Sequence, residues 1–295
     1  MDLSYAPDVV FPHLGIVVKQ LSRGFDLFGF SVYFYGLTMA LGMFCGLLTA
    51  QALMRRDGEK TDVMFDFALW GVVLGLVGAR AYYVVFSWDK YRDDILNVFN
   101  LREGGLAVFG AVLGGALAML LFTRRRKLSF FYLADYAACG LLVGQIIGRW
   151  GNFFNAEAFG GYTDGLLAMQ LRRAIVPPGM ISPALAEAAL AHPVVYAGES
   201  YISVHPTFFY EGMWNLALLL LLIFWRRRKA FTGEVMFLYF IGEGLGRFWI
   251  EALRTDQLLL PFVGAPVSQV LSVVFVGMGL FGLWRGRRKA AAGKG

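Results

Sequence analysis

Hydrophobic positions along the chain collect into seven long runs, about Phe28 to Leu53, Asp62 to Phe86, Gly104 to Phe122, Leu128 to Gly148, Pro206 to Trp225, Gly233 to Ile250 and Ala265 to Trp284. Each is near the roughly 20 residues that an α-helix needs to cross a bilayer core. Strands of a membrane barrel would be shorter and would alternate apolar with polar positions. The pattern predicts an all-α integral membrane protein with about seven transmembrane helices, forming a single membrane domain over residues 1–295. Residues 149–205, with Pro177, Pro178, Gly179 and Pro183 ahead of a helix-like Ala184 to Ala191, are expected to form a small outer-face insertion between the fourth and fifth spans. Residues 1–27 carry Asp2 and Asp8 in place of the basic start of a cleavable signal. With Phe11, Ile16, Val18, Leu21 and Phe25 near Lys19 and Arg23, they are expected as an outer-face interfacial arm. The polar stretch from Ser87 to Glu103, including Asp89, Lys90, Arg92, Asp93 and Asp94, reads as solvated surface without chemistry.

Composition agrees with a lipid solvent. Hydrophobic residues make up 58% of the chain and charged residues 16%, and the mean hydropathy is +0.58, too apolar a balance for an aqueous globule. Of the 27 Lys and Arg residues, 16 lie after the first, third and fifth runs and in the C-terminal tail, among them Arg55, Arg56, Lys60, the Arg124–Lys127 and Arg226–Lys229 clusters, Arg285, Arg287, Arg288, Lys289 and Lys294. The positive-inside rule then places the N-terminus outside and the C-terminus in the cytoplasm. The net charge of +6 is a topology signal rather than a nucleic-acid footprint, and no nucleic-acid partner is expected. His13, His192 and His205, with Cys45 and Cys139, have no metal-ligand spacing, so no metal is expected.

Charges inside apolar runs are costly and need a partner or a task. Arg149 ends the fourth run within Gly148-Arg149-Trp150-Gly151-Asn152-Phe153-Phe154-Asn155-Ala156-Glu157-Ala158-Phe159-Gly160-Gly161, and Glu243, Arg247, Glu251 and Arg254 interrupt or follow the sixth. On the topology above, Arg80, Arg149, Asn152, Asn155, Glu157, His205, Tyr210, Glu211, Arg247, Glu251 and Arg254 all fall at the depth of the outer leaflet. Arg247, Glu251 and Arg254 share one face if the sixth helix continues, and Glu251 is then placed to orient both guanidinium groups. Gly148 and Gly151 are expected to let the chain leave the helix and present backbone N–H groups to an anion. Guanidinium forks suit a phosphate. A single arginine near a helix end would be read as a snorkelling anchor; the added asparagines and carboxylates turn the reading to a phospholipid headgroup site.

At these residues the chain resembles the prolipoprotein diacylglyceryl transferases, whose signature has the form Gly-Arg-x-Gly-Asn-Phe-x-Asn-x-Glu-x-x-Gly, matched from Gly148 to Gly160. Tyr35-Gly36, Gly78-Ala79-Arg80, Gly104-Gly105-Leu106 leading to Gly110, His205-Pro206-Thr207 with Tyr210-Glu211, and Gly246-Arg247-Phe248 with Glu251 and Arg254 extend the likeness over nearly the whole chain. The resemblance implies a multi-pass enzyme of the bacterial cytoplasmic (inner) membrane, with its active site toward the outer leaflet. It would transfer the diacylglyceryl group of phosphatidylglycerol to the lipobox cysteine thiol of a preprolipoprotein, releasing glycerol 1-phosphate. No cofactor is implied; the partners are phosphatidylglycerol, the lipobox segment and the lipid bilayer. By the same resemblance Arg149 and Arg247 would stabilise the departing phosphate. Asn152, Glu157 and Glu251 would position the headgroup or those arginines, and Gly160 would allow close approach. Tyr35, Arg80, Asn155, Glu211 and Arg254 complete the candidate set as substrate-binding residues, with His205 joining Glu157 and Glu251 on its catalytic side.

One position departs from the family pattern. Many relatives carry a histidine four residues after the Gly-Gly pair, where this chain has Phe109. Phenylalanine accepts no proton, so a histidine base at that position is excluded. His205, beside Pro206, reads as readily as a hydrogen-bonding group at the start of a helix. The expectation is that no dedicated neutral-pH base is essential, and that local positive potential lowers the thiol pKa while a carboxylate or the phosphate takes the proton. Two rival readings account for the apolar runs: a transporter of a phosphate-bearing lipid or small solute, which should carry an internal duplication that is not visible, and a scaffold of closely packed helices, suggested by the spacing of Gly110 and Gly114.

Overall fold

The computed structural model describes residues 5–60, 62–92, 94–100, 104–260 and 264–292; Asp2, Asp93, Glu103 and Lys294 lie outside them. The helices among these residues are α1 (Phe34–Arg56), α2 (Asp62–Phe86), α3 (Val108–Arg126), α4 (Phe130–Asn155), α5 (Pro183–Ala191), α6 (Thr207–Trp225), α7 (Glu234–Leu253) and α8 (Val267–Ala292). Six of them, α1 to α4, α6 and α8, are long and apolar enough to cross a membrane. Helix α7 stands where the sixth span is predicted, but Glu243, Arg247 and Glu251 set it apart from the purely apolar class. Large apolar side chains stay exposed along these helices, such as Leu69 and Val73 on α2, Leu113 on α3 and Phe281 on α8, as expected for surfaces that face lipid.

The chain divides into two compact units, one of residues 1–46 and 141–295, the other of residues 47–140. In the first, the expectation of an all-α protein needs correction. Strands β1 (Val9–Phe11), β2 (Ile16–Val18), β5 (Met169–Arg172), β6 (Val194–Tyr196) and β7 (Glu199–Val204) form an antiparallel sheet in the order β2-β1-β5-β7-β6, while β3 (Gly24–Leu27) and β4 (Phe30–Tyr33) make a separate hairpin. The N-terminal arm and the insertion are therefore parts of one folded layer. Val9, Leu171, Ile202 and Val204 are buried in it with Leu185 of α5 and Phe208 of α6. The Asp8 carboxylate fastens the arm, pairing with Arg172 at 2.6 Å and accepting the Leu21 N–H at 2.6 Å. The buried β-branched residues Val9, Val10, Ile202 and Val204 favour strands here.

Within the same unit glycines let the helices close up. A Cβ on Gly42 of α1 would stand 2.8 Å from the Gly144 carbonyl oxygen of α4, and one on Gly279 of α8 2.7 Å from the Phe237 carbonyl oxygen of α7. Small residues at helix contacts are the usual solution in lipid, where no hydrophobic force drives helices together.

In the second unit α2 and α3 pack through Gly78, Gly110 and Gly114. A Cβ on Gly114 would meet the Leu74 carbonyl oxygen at 2.1 Å. Two residues on from Gly78, Arg80 is buried, and its five guanidinium donors reach the carbonyl oxygens of Asn97, Val98, Asn100, Gly104 and Gly105 at 2.7–3.0 Å. The Tyr91 ring covers the same guanidinium, 5.1 Å from its centre. Residues 97–100, within the stretch expected as plain solvated surface, thus wrap a buried cation through the carbonyls of Asn97, Val98 and Asn100. Replacing Gly114 by valine should overpack the α2–α3 contact and lower stability by about 1–3 kcal/mol, measured as the shift in thermal unfolding of the detergent-solubilised protein.

Candidate active site

Helices α4, α6 and α7 each present a polar stripe four residues in pitch: Gln145 and Arg149 on α4, Glu211 and Asn215 on α6, and Tyr239, Glu243, Arg247 and Glu251 on α7. Residues i and i+4 lie one above the other on a helix, so the stripes meet in layers. In one layer Glu211 Oε1 takes Arg149 Nη2 at 2.5 Å and Arg247 Nη1 at 2.8 Å. Arg247 Nη2 also lies 3.0 Å from Glu251 Oε2, close enough for charge pairing but without hydrogen-bond alignment, so that buried oxygen has no hydrogen-bond partner among the described residues. Glu211 and Glu251 are almost fully covered, at 5% and 4% side-chain exposure, whereas Arg149 and Arg247 keep 23% and 24%. In the next layer Gln145 Nε2 donates to Glu243 Oε1 at 3.1 Å and to the Tyr239 hydroxyl at 3.3 Å, and Asn215 Nδ2 donates to Gln145 Oε1 at 3.5 Å.

The signature segment follows directly. Helix α4 continues through Arg149, Gly151 and Asn152 to Asn155, so the expectation that Gly148 and Gly151 release the chain there is corrected: the backbone N–H groups at Arg149 belong to a continuing helix. Gly151 serves close packing instead, since a Cβ on it would come within 2.8 Å of both Tyr35 Cδ2 and Thr38 Oγ1 of α1. The helix ends at Ala156, which has φ +51°, and the Glu157 N–H returns to the Asn152 carbonyl at 3.1 Å. That turn brings Glu157 Oε1 within 3.1 Å of the side-chain amides of both Asn152 and Asn155. The two asparagines thus hold Glu157. Ala158 is also left-handed, at φ +55°, and its carbonyl accepts the Thr207 hydroxyl. Left-handed backbone outside glycine costs of order 1–3 kcal/mol per residue, and these hydrogen bonds keep the segment there.

Gly160 ties three elements together. Its N–H donates to the His205 carbonyl at 2.9 Å, the Gly161 N–H to the Leu253 carbonyl at 2.8 Å, and the His205 N–H to the Gly161 carbonyl at 3.1 Å. A Cβ on Gly160 would stand 2.8 Å from His205 Cβ and 2.9 Å from the Leu253 carbonyl oxygen. His205 Nδ1 is 3.2 Å from the Tyr210 hydroxyl, and burial lowers the imidazole pKa below its ordinary value. Helix α7 stops at Leu253, so Arg254 leaves the face shared by Arg247 and Glu251. Its guanidinium is held by Asp256 through bonds of 2.9 and 2.8 Å, which corrects the expectation that Glu251 orients both arginines.

Of the candidates, Arg149, Glu211, Arg247 and Glu251 form one charged cluster, Asn152, Asn155 and Glu157 a second group on the same helix end, and Tyr35 packs against Gly151. Arg80 belongs to the other unit with its donors occupied as described above. Sequence reasoning does not single out Gln145, Asn215, Tyr239 or Asp256, and it reads Glu243 only as a charge in the sixth run. The four-residue spacing from Gln145 to Arg149, from Glu211 to Asn215 and from Glu243 to Arg247 was the available signal.

Residues 23–285 match the family model described as prolipoprotein diacylglyceryl transferase. A phosphatidylglycerol-prolipoprotein diacylglyceryl transferase of Acaryochloris marina is 40% identical over 254 residues, covering 85% of this chain and 85% of its own length. The protein of the same name from Halalkalibacterium halodurans is 35% identical over 282 residues, covering 94% of this chain and 90% of its own. One from Clostridioides difficile is 36% identical over 251 residues, 85% of this chain and 90% of its own.

Removing Glu211 would leave two guanidinium groups facing each other without their shared counter-ion. Glu211→Ala should destabilise the protein by about 3–5 kcal/mol, well beyond the effect of Asp256→Ala, as read by thermal unfolding in detergent. At His205 the folded state binds its proton less readily than the unfolded chain, so this residue's contribution to stability falls as pH drops below about 6.5. The thermal midpoint of the wild type should therefore drop more steeply between pH 7.5 and 5.5 than that of His205→Asn.

Proposed function

The chain belongs to the prolipoprotein diacylglyceryl transferase family, and on that premise we propose that the Arg149–Glu211–Arg247 cluster is the centre at which it works. The protein is a membrane transferase that moves the diacylglyceryl group of phosphatidylglycerol to a prolipoprotein. The acceptor is the cysteine thiol of the lipobox. A C–S bond forms at the glyceryl carbon bearing the phosphate ester, the C–O bond to that phosphate breaks with its electron pair, the thiol gives up its proton, and glycerol 1-phosphate departs. One observation carries the assignment. Guanidinium groups from two helices converge on a single carboxylate oxygen at 2.5 and 2.8 Å, yet each stays about a quarter exposed. Glu211 holds the pair in place and cancels one charge, leaving N–H forks for a phosphate.

The electrostatics suit the reaction. A phosphodiester carries one negative charge, and the monoester released approaches two at neutral pH. Fixed cations in a site largely closed to water stabilise that added charge without reorganising. Glu251 steadies Arg247, and the Asn152–Asn155–Glu157 group faces the headgroup glycerol beyond the arginines. Gly160, Tyr35, Arg254 and His205 shape the surroundings through the contacts described above, and Arg80 organises its own loop. We place the site in the outer leaflet of the bacterial cytoplasmic membrane, with α7 crossing as the sixth of seven spans, the N-terminus and the sheet outside, and the Arg124–Lys127 and Arg226–Lys229 clusters in the cytoplasm. The asymmetry of basic residues supports this orientation.

The test is a transfer assay with purified protein in phosphatidylglycerol micelles and a lipobox peptide, following peptide mass and glycerol phosphate release. Arg149→Gln and Arg247→Gln should each lose about 10²–10³-fold in turnover. Wild-type activity in both variants would remove the cluster from the mechanism.

A further inference from the structure

The reaction needs somewhere for the thiol proton to go, and the carboxylates of the site differ in their freedom to take it. Glu211 is occupied by two arginines and Glu251 by one. Glu157 is held by two asparagines on the far side of the arginines from the middle of the helices. Glu243 makes no ion pair among the described residues. Its Oε1 accepts the single amide of Gln145 at 3.1 Å, and Oε2 has no hydrogen-bond partner there. The charged and titratable groups that act on it are Glu211 from α6, Arg149 from α4, and Arg247 and Tyr239 from α7 itself.

Its depth is also right. Glu243 lies at the midpoint of α7, four residues inward of Arg247, a rise of about 6 Å. The acyl chains of a bound lipid run toward the middle of the membrane, so a phosphate on Arg149 and Arg247 has its glyceryl carbon on the Glu243 side. Displacement requires sulfur to approach that carbon opposite the departing oxygen, at about 3–3.5 Å before reaction. The attacking thiol is thereby brought to the Glu243 layer, and Glu157 is left beside the departing glycerol phosphate.

We infer that Glu243 Oε2 accepts the proton of the lipobox thiol. As the C–S bond forms and the C–O bond to phosphate breaks, the S–H proton passes to Oε2, and it returns to water or to the released phosphate once glycerol phosphate leaves. Phe109, at the family's histidine position, has no capacity for this. The inference rests on the phosphate reading of Arg149 and Arg247, and its test separates the two. The full-length protein and Glu243→Gln are assayed in phosphatidylglycerol micelles with a cysteine lipobox peptide and with the same peptide carrying selenocysteine, whose selenol is already ionised near neutral pH. Glu243→Gln should lose about 10²–10⁴-fold in turnover with cysteine at pH 7. It should recover toward wild type with selenocysteine at pH 7, or with cysteine above the thiol pKa of about 8.5, while phosphatidylglycerol binding is unchanged. Wild-type turnover by Glu243→Gln with cysteine at pH 7, or an equal defect with both nucleophiles at every pH, overturns the inference. Arg149→Gln, run alongside, should be slow with both peptides; if it is not, the phosphate reading falls instead. Should Glu243→Gln fold poorly, Glu243→Asp, with its carboxylate withdrawn by one methylene, must show the same selenocysteine-dependent recovery, and an equal defect with both peptides again overturns it.

Discussion

Charge removed from water between apolar helices is tolerated only when it is paired, and here the pairing converges on Glu211 Oε1. Three helices supply the four charged residues, α4 through Arg149, α6 through Glu211 and α7 through Arg247 and Glu251. An isolated ion in this setting would cost several kcal/mol, and only good geometry recovers it. The ion cluster therefore sets the axial register of the helices against one another. Once the charged layer is in register, Gln145, Asn215 and Glu243 fall together in the layer beneath, because each sits one turn from a member of the first.

Helix α7 carries this stripe beside three closely spaced glycines. Gly242, Gly244 and Gly246 alternate with Glu243 and Arg247 along the sequence. Trp214 of α6 lies over this side, donating its indole N–H to the Gly242 carbonyl at 2.9 Å and occupying the space where a Gly246 side chain would stand. On α8 the Ser272 carbonyl oxygen is 2.7 Å from a Cβ placed on Gly244. The glycines bring backbones close enough for dispersion and polar contacts to hold helices that gain nothing from hydrophobic association in lipid. Close packing and the electrostatic centre are thus two consequences of one sequence pattern.

The segment from Ala156 to Gly161 shows how the site is closed at its polar end. Two left-handed alanines reverse the chain at the end of α4, and hydrogen bonds from Gly160 and Gly161 fasten it to the start of α6 and the end of α7. The ends of the three helices that carry the cluster are joined by backbone bonds independent of side-chain charge. The Asn152–Asn155–Glu157 group rides on this turn, so its position follows from backbone geometry, which the order of residues alone does not disclose.

The sequence by itself determined the membrane solvent, the approximate limits of six long apolar helices and the family, and it marked Arg149, Glu211, Arg247 and Glu251 as candidates because they are charges in or beside apolar runs. These follow from local properties: run length, the cost of charge in apolar surroundings, and a signature contiguous along the chain. Only tertiary structure decided which residue stands between the arginines, that the arm and the insertion are strands of one sheet, that Arg80 serves its own loop, and that Arg254 answers to Asp256 instead of Glu251. Strand partners separated by more than 150 residues, and the single residue at which a helix stops, depend on energies spread over the whole fold. Hydrophobic periodicity records which side chains leave water, but not which of them meet.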